Sequence, residues 1–180
     1  MLHAKTLFSI TILKYSVPNW QDKKIKLLDL IDNKSNLLLD ECQTDYFSSS
    51  GRASYFDEWY SILGEDIQNC LNRINLPFSS PEDWQLWSQK YYFGEYHSVH
   101  THGLGNLSAV LYVEFDPDEH VSTRFYSPFA DPFFGSLESQ TLTDIQEGDI
   151  IFFPAMLMHE SPPQKSEKVR TVMSFNIPIK

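Results

Sequence analysis

The longest regular pattern in the chain lies over residues 54–74, where Phe56, Trp59, Leu63, Ile67, Leu71 and Ile74 recur in steps of three and four. That period predicts a helix buried along one face, and Pro77 ends it. Phe56 and Trp59 read as core packing. A shorter helix is predicted over 20–32, from Ile25, Leu28 and Ile31, with Asn19 placed to cap it. Ahead of it, 7–14 alternates enough to predict a strand that breaks at Pro18. Residues 33–53 are polar, Ser-rich and without period, and read as loop.

After Pro81 the period drops to two. Short aromatic and β-branched runs at 84–93, 96–101, 107–115, 122–127, 140–143, 149–153 and 169–177 alternate with turn residues such as Gly94, Gly103, Gly135 and Gly148. Seven short strands predict a sandwich or barrel whose outer face needs a cover, and the N-terminal helices supply one. The expected class is therefore mainly β with N-terminal helices. It is one domain over 1–180, with 1–80 as strand and helical support and 81–180 as a β core.

Composition narrows the partners. With 42% hydrophobic and 21% charged residues the chain is globular, and no apolar run is long enough to span a bilayer. A net charge of −10 opposes nucleic acid and anionic membrane. Cys42 and Cys70 lack metal or redox spacing, so a reducing, cytoplasmic location is expected. The N-terminus reads as a strand and not as a signal peptide. Edge strands of such a fold are compatible with a homodimer.

Four of the six histidines fall among the predicted strands: His97, His100, His102 and His159. His100 and His102 are two apart, so on a strand they leave the same face and can share one ion. His97 would point the other way, and with His3 and His120 it reads as an ordinary histidine. His159 follows the aromatic strand that runs from Gly148 to Pro154. Three imidazoles suit iron, zinc, copper or nickel and leave positions open for reactants.

On the last strand, alternation puts Arg170, Val172, Ser174 and Asn176 on one face and Thr171, Met173, Phe175 and Ile177 on a core face. A buried arginine needs an anion. That anion is one of the 24 acids or a bound carboxylate. Tyr92, Phe93, Phe152 and Phe153 are the aromatics able to wall such a site.

Gly94-Glu95-Tyr96, His100-Thr-His102, Ser108 to Tyr112, Gly148 to Pro154, His159 and Arg170 to Ser174-Phe175-Asn176 stand in the order found in a family. Over 84–177 the chain resembles the non-haem iron, 2-oxoglutarate-dependent oxygenases, in particular a branch of bacteria and phages. The resemblance implies a double-stranded β-helix, or jelly roll. It implies Fe(II) on His100, His102 and His159, and 2-oxoglutarate as cosubstrate. Arg170 would anchor the cosubstrate, with Ser174 and Tyr112 as further donors. The implied activity is hydroxylation of a small molecule or peptide, with release of succinate and CO2. One departure is plain: His102 stands where most members carry Asp or Glu, so the ligands are three histidines or an acid such as Glu95 or Asp131 enters. A cupin with a three-histidine metal site fits much of the same spacing, although it leaves Arg170 without a task. A non-catalytic jelly-roll binding module is the third reading.

Overall fold

The structure, a computed structural model, describes residues 9–180. It runs β1 (Leu13–Ser16), α1 (Trp20–Lys34), β2 (Leu38–Leu39), β3 (Gln43–Thr44), α2 (Phe56–Leu71), a 3-10 turn (Pro81–Asp83) and then eight strands. These are β4 (Gln85–Tyr91), β5 (His97–His100), β6 (Asn106–Glu114), β7 (Arg124–Ala130), β8 (Leu137–Thr141), β9 (Asp149–Pro154), β10 (His159–Ser161) and β11 (Arg170–Pro178). One sheet has the order β1-β9-β6-β11-β4-β3-β2 and the other β5-β10-β7-β8. All named pairings are antiparallel. This is a jelly roll, a double-stranded β-helix covered by helices.

The large sheet is buried on both faces, and side-chain alternation sorts its residues between two cores. Leu107, Ala109, Leu111, Ile150, Phe152, Met173, Phe175 and Ile177 pack with Leu27, Trp59, Leu63 and Ile67 of the helices. Trp59 meets Phe175 edge to face at 5.1 Å. Their neighbours Val110, Tyr112, Ile151, Phe153 and Val172 turn inward, toward Phe125 of the small sheet. The candidate site's side chains lie on this inner side. No helix among the described residues is long and apolar enough to cross a membrane.

Several N-terminal expectations shift. The first strand sits later than predicted, at Leu13–Ser16, and positions 7 and 8 lie outside the described residues. In α1 the buried residues are Leu27, Leu30 and Ile31, while Ile25 is 70% exposed. Two overlapping stripes were available in that stretch, and packing on α2 and the sheet selected the other. Asn19 adopts a left-handed backbone with φ 52° and makes no side-chain cap. The 33–53 stretch is not all loop: β2 and β3 extend the large sheet past β4. Asp45 fastens this extension. Its buried carboxylate accepts from the Ser88 N–H (2.8 Å), the Tyr55 hydroxyl (2.7 Å) and the Ser35 hydroxyl (2.7 Å), linking α1, the segment before α2 and β4.

Candidate metal centre

β5 and β10 deliver histidines into the space between the sheets. His159 opposes His100, and Ser161 opposes His97, so β5 carries one extra residue between the two pairs. That bulge inverts the alternation. His97, expected to face away, therefore lies on the same side as His100, their rings stacked at 4.1 Å and 28°. His102 lies beyond the end of β5, where its N–H donates to the Ala155 carbonyl at 2.9 Å. Its ring centroid is 4.9 Å from His100 and 5.1 Å from His159, while His100 and His159 are 4.3 Å apart. One nitrogen from each of His100, His102 and His159 lies within 4.8 Å of the others. Glu95 and Asp131 are not in the group. Glu95 accepts from the Tyr92 N–H, and Asp131 accepts from the Phe133 and Phe134 N–H groups at a hairpin tip.

The backbone fixes two of the tautomers. His100 Nδ1 is 2.7 Å from the Ser98 carbonyl and His159 Nδ1 is 2.8 Å from the Leu157 carbonyl. A carbonyl only accepts, so each Nδ1 carries a proton and Nε2 is the nitrogen each ring would offer to a metal. Burial pushes His102 down to about 4 and His159 down to about 3, so both rings are neutral at pH 7.

Arg170 lies in the same cavity, 2% exposed. Its Nη1 donates to the Val121 carbonyl at 2.8 Å, its guanidinium sits 4.7 Å over the Tyr91 ring, and its Nε has no partner. No described carboxylate pairs with it. Ser161 Oγ, also buried and unpartnered, lines the same cavity. A buried guanidinium without a counter-charge, an unpartnered hydroxyl and three imidazoles therefore line one cavity, a donor set that suits an anionic ligand.

The other expected residues stand differently. Ser174 lines the cavity but gives its proton to Gln89 Oε1 at 3.0 Å. Gln89 in turn donates through Nε2 to His97 Nδ1 at 3.0 Å. Tyr112 lies one layer behind. Its hydroxyl accepts the Thr123 N–H (3.1 Å) and shares a hydrogen bond with Thr123 Oγ1 (2.8 Å), and Thr123 lines the cavity instead. Of the four expected aromatic walls only Phe153 is there; Phe152 faces the helices, and Tyr92 and Phe93 are 39% and 62% exposed. Sequence reasoning missed His97, Gln89, Ser161 and Thr123. Only His97 carried a signal, its nearness to the His-x-His pair.

Fold and site together define a jelly roll in which three histidines able to hold a metal ion share a cavity with a buried, unpaired arginine. Residues 85–176, just over half of the chain, match the model of the putative 2OG-Fe(II) oxygenases, and the chain belongs to that family. Family membership decides against the cupin reading. A search of curated proteins finds no match. Among solved structures the fold is similar to a prolyl-4-hydroxylase of Pseudomonas putida, at 14% identity and a TM-score of 0.62, covering 96% of this chain and 94% of that one. HygX of Streptomyces hygroscopicus, solved with nickel, 2-oxoglutarate and hygromycin B bound, is 11% identical with a TM-score of 0.64, over 94% of this chain and 83% of its own. SnoK, a non-haem alpha-ketoglutarate-dependent carbocyclase from nogalamycin biosynthesis, is 10% identical with a TM-score of 0.60, over 94% and 79%.

Proposed function

We propose that the protein is an Fe(II)- and 2-oxoglutarate-dependent dioxygenase that hydroxylates a small-molecule or peptide substrate. The observation that carries this reading is Arg170, a buried cation with no anion of its own, facing the cavity that holds three imidazoles. Iron with 2-oxoglutarate supplies the oxidising chemistry, dioxygen being reduced as the keto acid loses CO2 to become succinate while one oxygen enters the substrate. His100, His102 and His159 would hold the metal, the first two through geometry set by β5 and its exit, the last through β10. Arg170 binds the far carboxylate of the keto acid, with Ser161 and Thr123 placed to donate beside it. Tyr112 acts through Thr123. Ser174 serves Gln89 and so orients His97. Phe153, Val110 and Val172 exclude water from the inner end. Because all three candidate ligands are imidazoles and none is a carboxylate, a bound divalent ion would keep its double charge, and a dianion's charge would suit that centre better than a carboxylate-ligated one.

Replacing Arg170 with Met should weaken 2-oxoglutarate binding to the metal-loaded protein by about 2–5 kcal/mol, read by calorimetry. His100→Ala and His159→Ala should lose the metal by elemental analysis, and wild type should form succinate only with dioxygen present. Unchanged keto-acid affinity in the Arg170 variant would refute the anchoring role. Full metal content in both histidine variants would refute the centre itself, and a wild type that binds both ligands yet forms no succinate would favour the non-catalytic reading.

A further inference from the structure

A second opening meets the cavity from outside. Trp87, Gln89, His97, His100 and His102 line both spaces, so a molecule in the outer groove rests against the same rings that face the metal site. The groove holds about 200 Å³ and opens to solvent, which is smaller than a whole small-molecule pocket and leaves room for one group of a ligand whose remainder stays at the mouth. Its far wall is the segment Asp40 to Phe47, which lies outside the 85–176 stretch shared with the family.

Two kinds of side chain dominate that wall. Tyr46 stands edge-on to Phe47 at 5.4 Å and to Trp87 at 5.2 Å, and Tyr46 and Phe47 are 38% and 60% exposed. Beside them are Asp40 and Glu41. The Glu41 carboxylate accepts the Ser98 N–H at 2.6 Å, and its carbonyl accepts the Tyr96 N–H at 3.1 Å, which pins the acid to β5. The Ser98 N–H holds this carboxyl below its usual range. Neither Asp40 nor Glu41 is paired with a described Lys or Arg, and no Lys or Arg lines the groove. Arg170, the basic group of the inner cavity, does not reach it.

We infer that this groove receives the substrate, and that it selects an ammonium- or guanidinium-bearing group carried on an apolar or aromatic body. The inference rests on the oxygenase reading of the adjoining cavity. Aromatic faces with unneutralised carboxylates favour a cation over a neutral or anionic isostere, and the chain's net charge of −10 draws cations toward the mouth. The inner cavity takes the anionic cosubstrate and the outer groove the cationic substrate, so their charges keep the two from exchanging places.

The test uses the whole protein loaded with Co(II), a redox-inert stand-in, with 2-oxoglutarate saturating. Phenethylamine, 2-phenylethanol and 3-phenylpropionate present one ring with a cationic, neutral or anionic end, and calorimetry reads their affinities. Phenethylamine should bind at least tenfold more tightly than the alcohol and the acid more weakly than either. The amine's advantage should fall at least fivefold in the Asp40→Asn/Glu41→Gln double variant, while 2-oxoglutarate affinity stays the same. Gln at 41 keeps an oxygen for the Ser98 N–H. Should the double variant unfold, Asp40→Asn alone, at an exposed position, should cost the amine at least twofold. Equal affinities for the three probes, an amine that fails to bind at millimolar concentration, or a preference that survives these substitutions would overturn the inference. Titrating 2-oxoglutarate into the same protein without probes separates the two readings. Its failure to bind would remove the oxygenase reading, while the amine titration would still report on the groove.

Discussion

Whether three histidines make a ligand set depends on where their protons sit. At His100 and His159 the Ser98 and Leu157 carbonyls accept hydrogen bonds from Nδ1–H, so Nε2 is the nitrogen turned to a metal without rearrangement. Burial adds to this, holding His102 and His97 down to about 4 and His159 down to about 3. In the unfolded chain the same rings ionise near ~6.5. Below that pH the unfolded chain takes up protons that the folded one refuses. The stability these rings contribute to the metal-free protein is therefore complete above about 6.5 and is lost as pH falls from there toward their folded values, by up to about 1.4 kcal/mol per pH unit for each ring. The thermal midpoint of metal-free protein should drop steadily from pH 7 to pH 5, and His97→Phe, which removes one titrating ring, should make the drop shallower. A midpoint flat over that interval would contradict rings held neutral by burial.

At the scale of elements, one glycine combines a backbone constraint with a packing one. Gly148, at the turn into β9, has φ +87°, and a Cβ there would stand 2.7 Å from Trp20 Cγ. Gly94 has a similar φ of +84° but open space around it. Gly94→Ala should therefore cost only the strain of a left-handed alanine, about 1 kcal/mol. Gly148→Ala should cost about 2 kcal/mol or more and lower the thermal midpoint by roughly 4–8 °C. Equal losses in differential scanning calorimetry would mean that the Trp20 contact is not what the glycine preserves. Elements of this length were legible in sequence because their alternation runs long enough to have a phase. β11 is the clearest instance, with Met173, Phe175 and Ile177 on the helix side and Arg170, Val172 and Ser174 on the cavity side, as the period of two requires. β2 and β3, two residues each, have no phase to read, and their place is fixed by Asp45 through contacts with residues far along the chain. His97 was misplaced for a related reason. One inserted residue in β5 reverses its face, and a bulge is specified by pairing with β10, which local pattern does not encode. The grouping of the candidate site was legible in its histidines and its arginine, and illegible in Ser161 and Thr123, whose residue type is common and which only the fold brings to the same cavity.

At the scale of the whole molecule, the two sheets hold an arrangement that is unfavourable until something fills it. The guanidinium of Arg170 is out of water with no counter-charge, and the Ser161 hydroxyl beside it makes no bond. Such groups lower the stability of the ligand-free fold. A ligand that satisfies them returns that free energy on binding, raising folded-state stability by about 2.7 kcal/mol when its concentration is a hundred times its Kd. Metal and keto acid are expected to couple, because the imidazoles and the guanidinium line one cavity and under the proposed function one dianion would engage both. Co(II) and 2-oxoglutarate together should therefore raise the thermal midpoint by more than the sum of their separate effects. His159→Ala should remove the metal's share and the excess. Arg170→Met should remove the excess while leaving the effect of metal alone, since the arginine is no ligand. Strictly additive midpoints in the wild type would mean that metal and keto acid occupy separate places, and that the unpaired arginine serves a ligand other than the one chelated at the histidines.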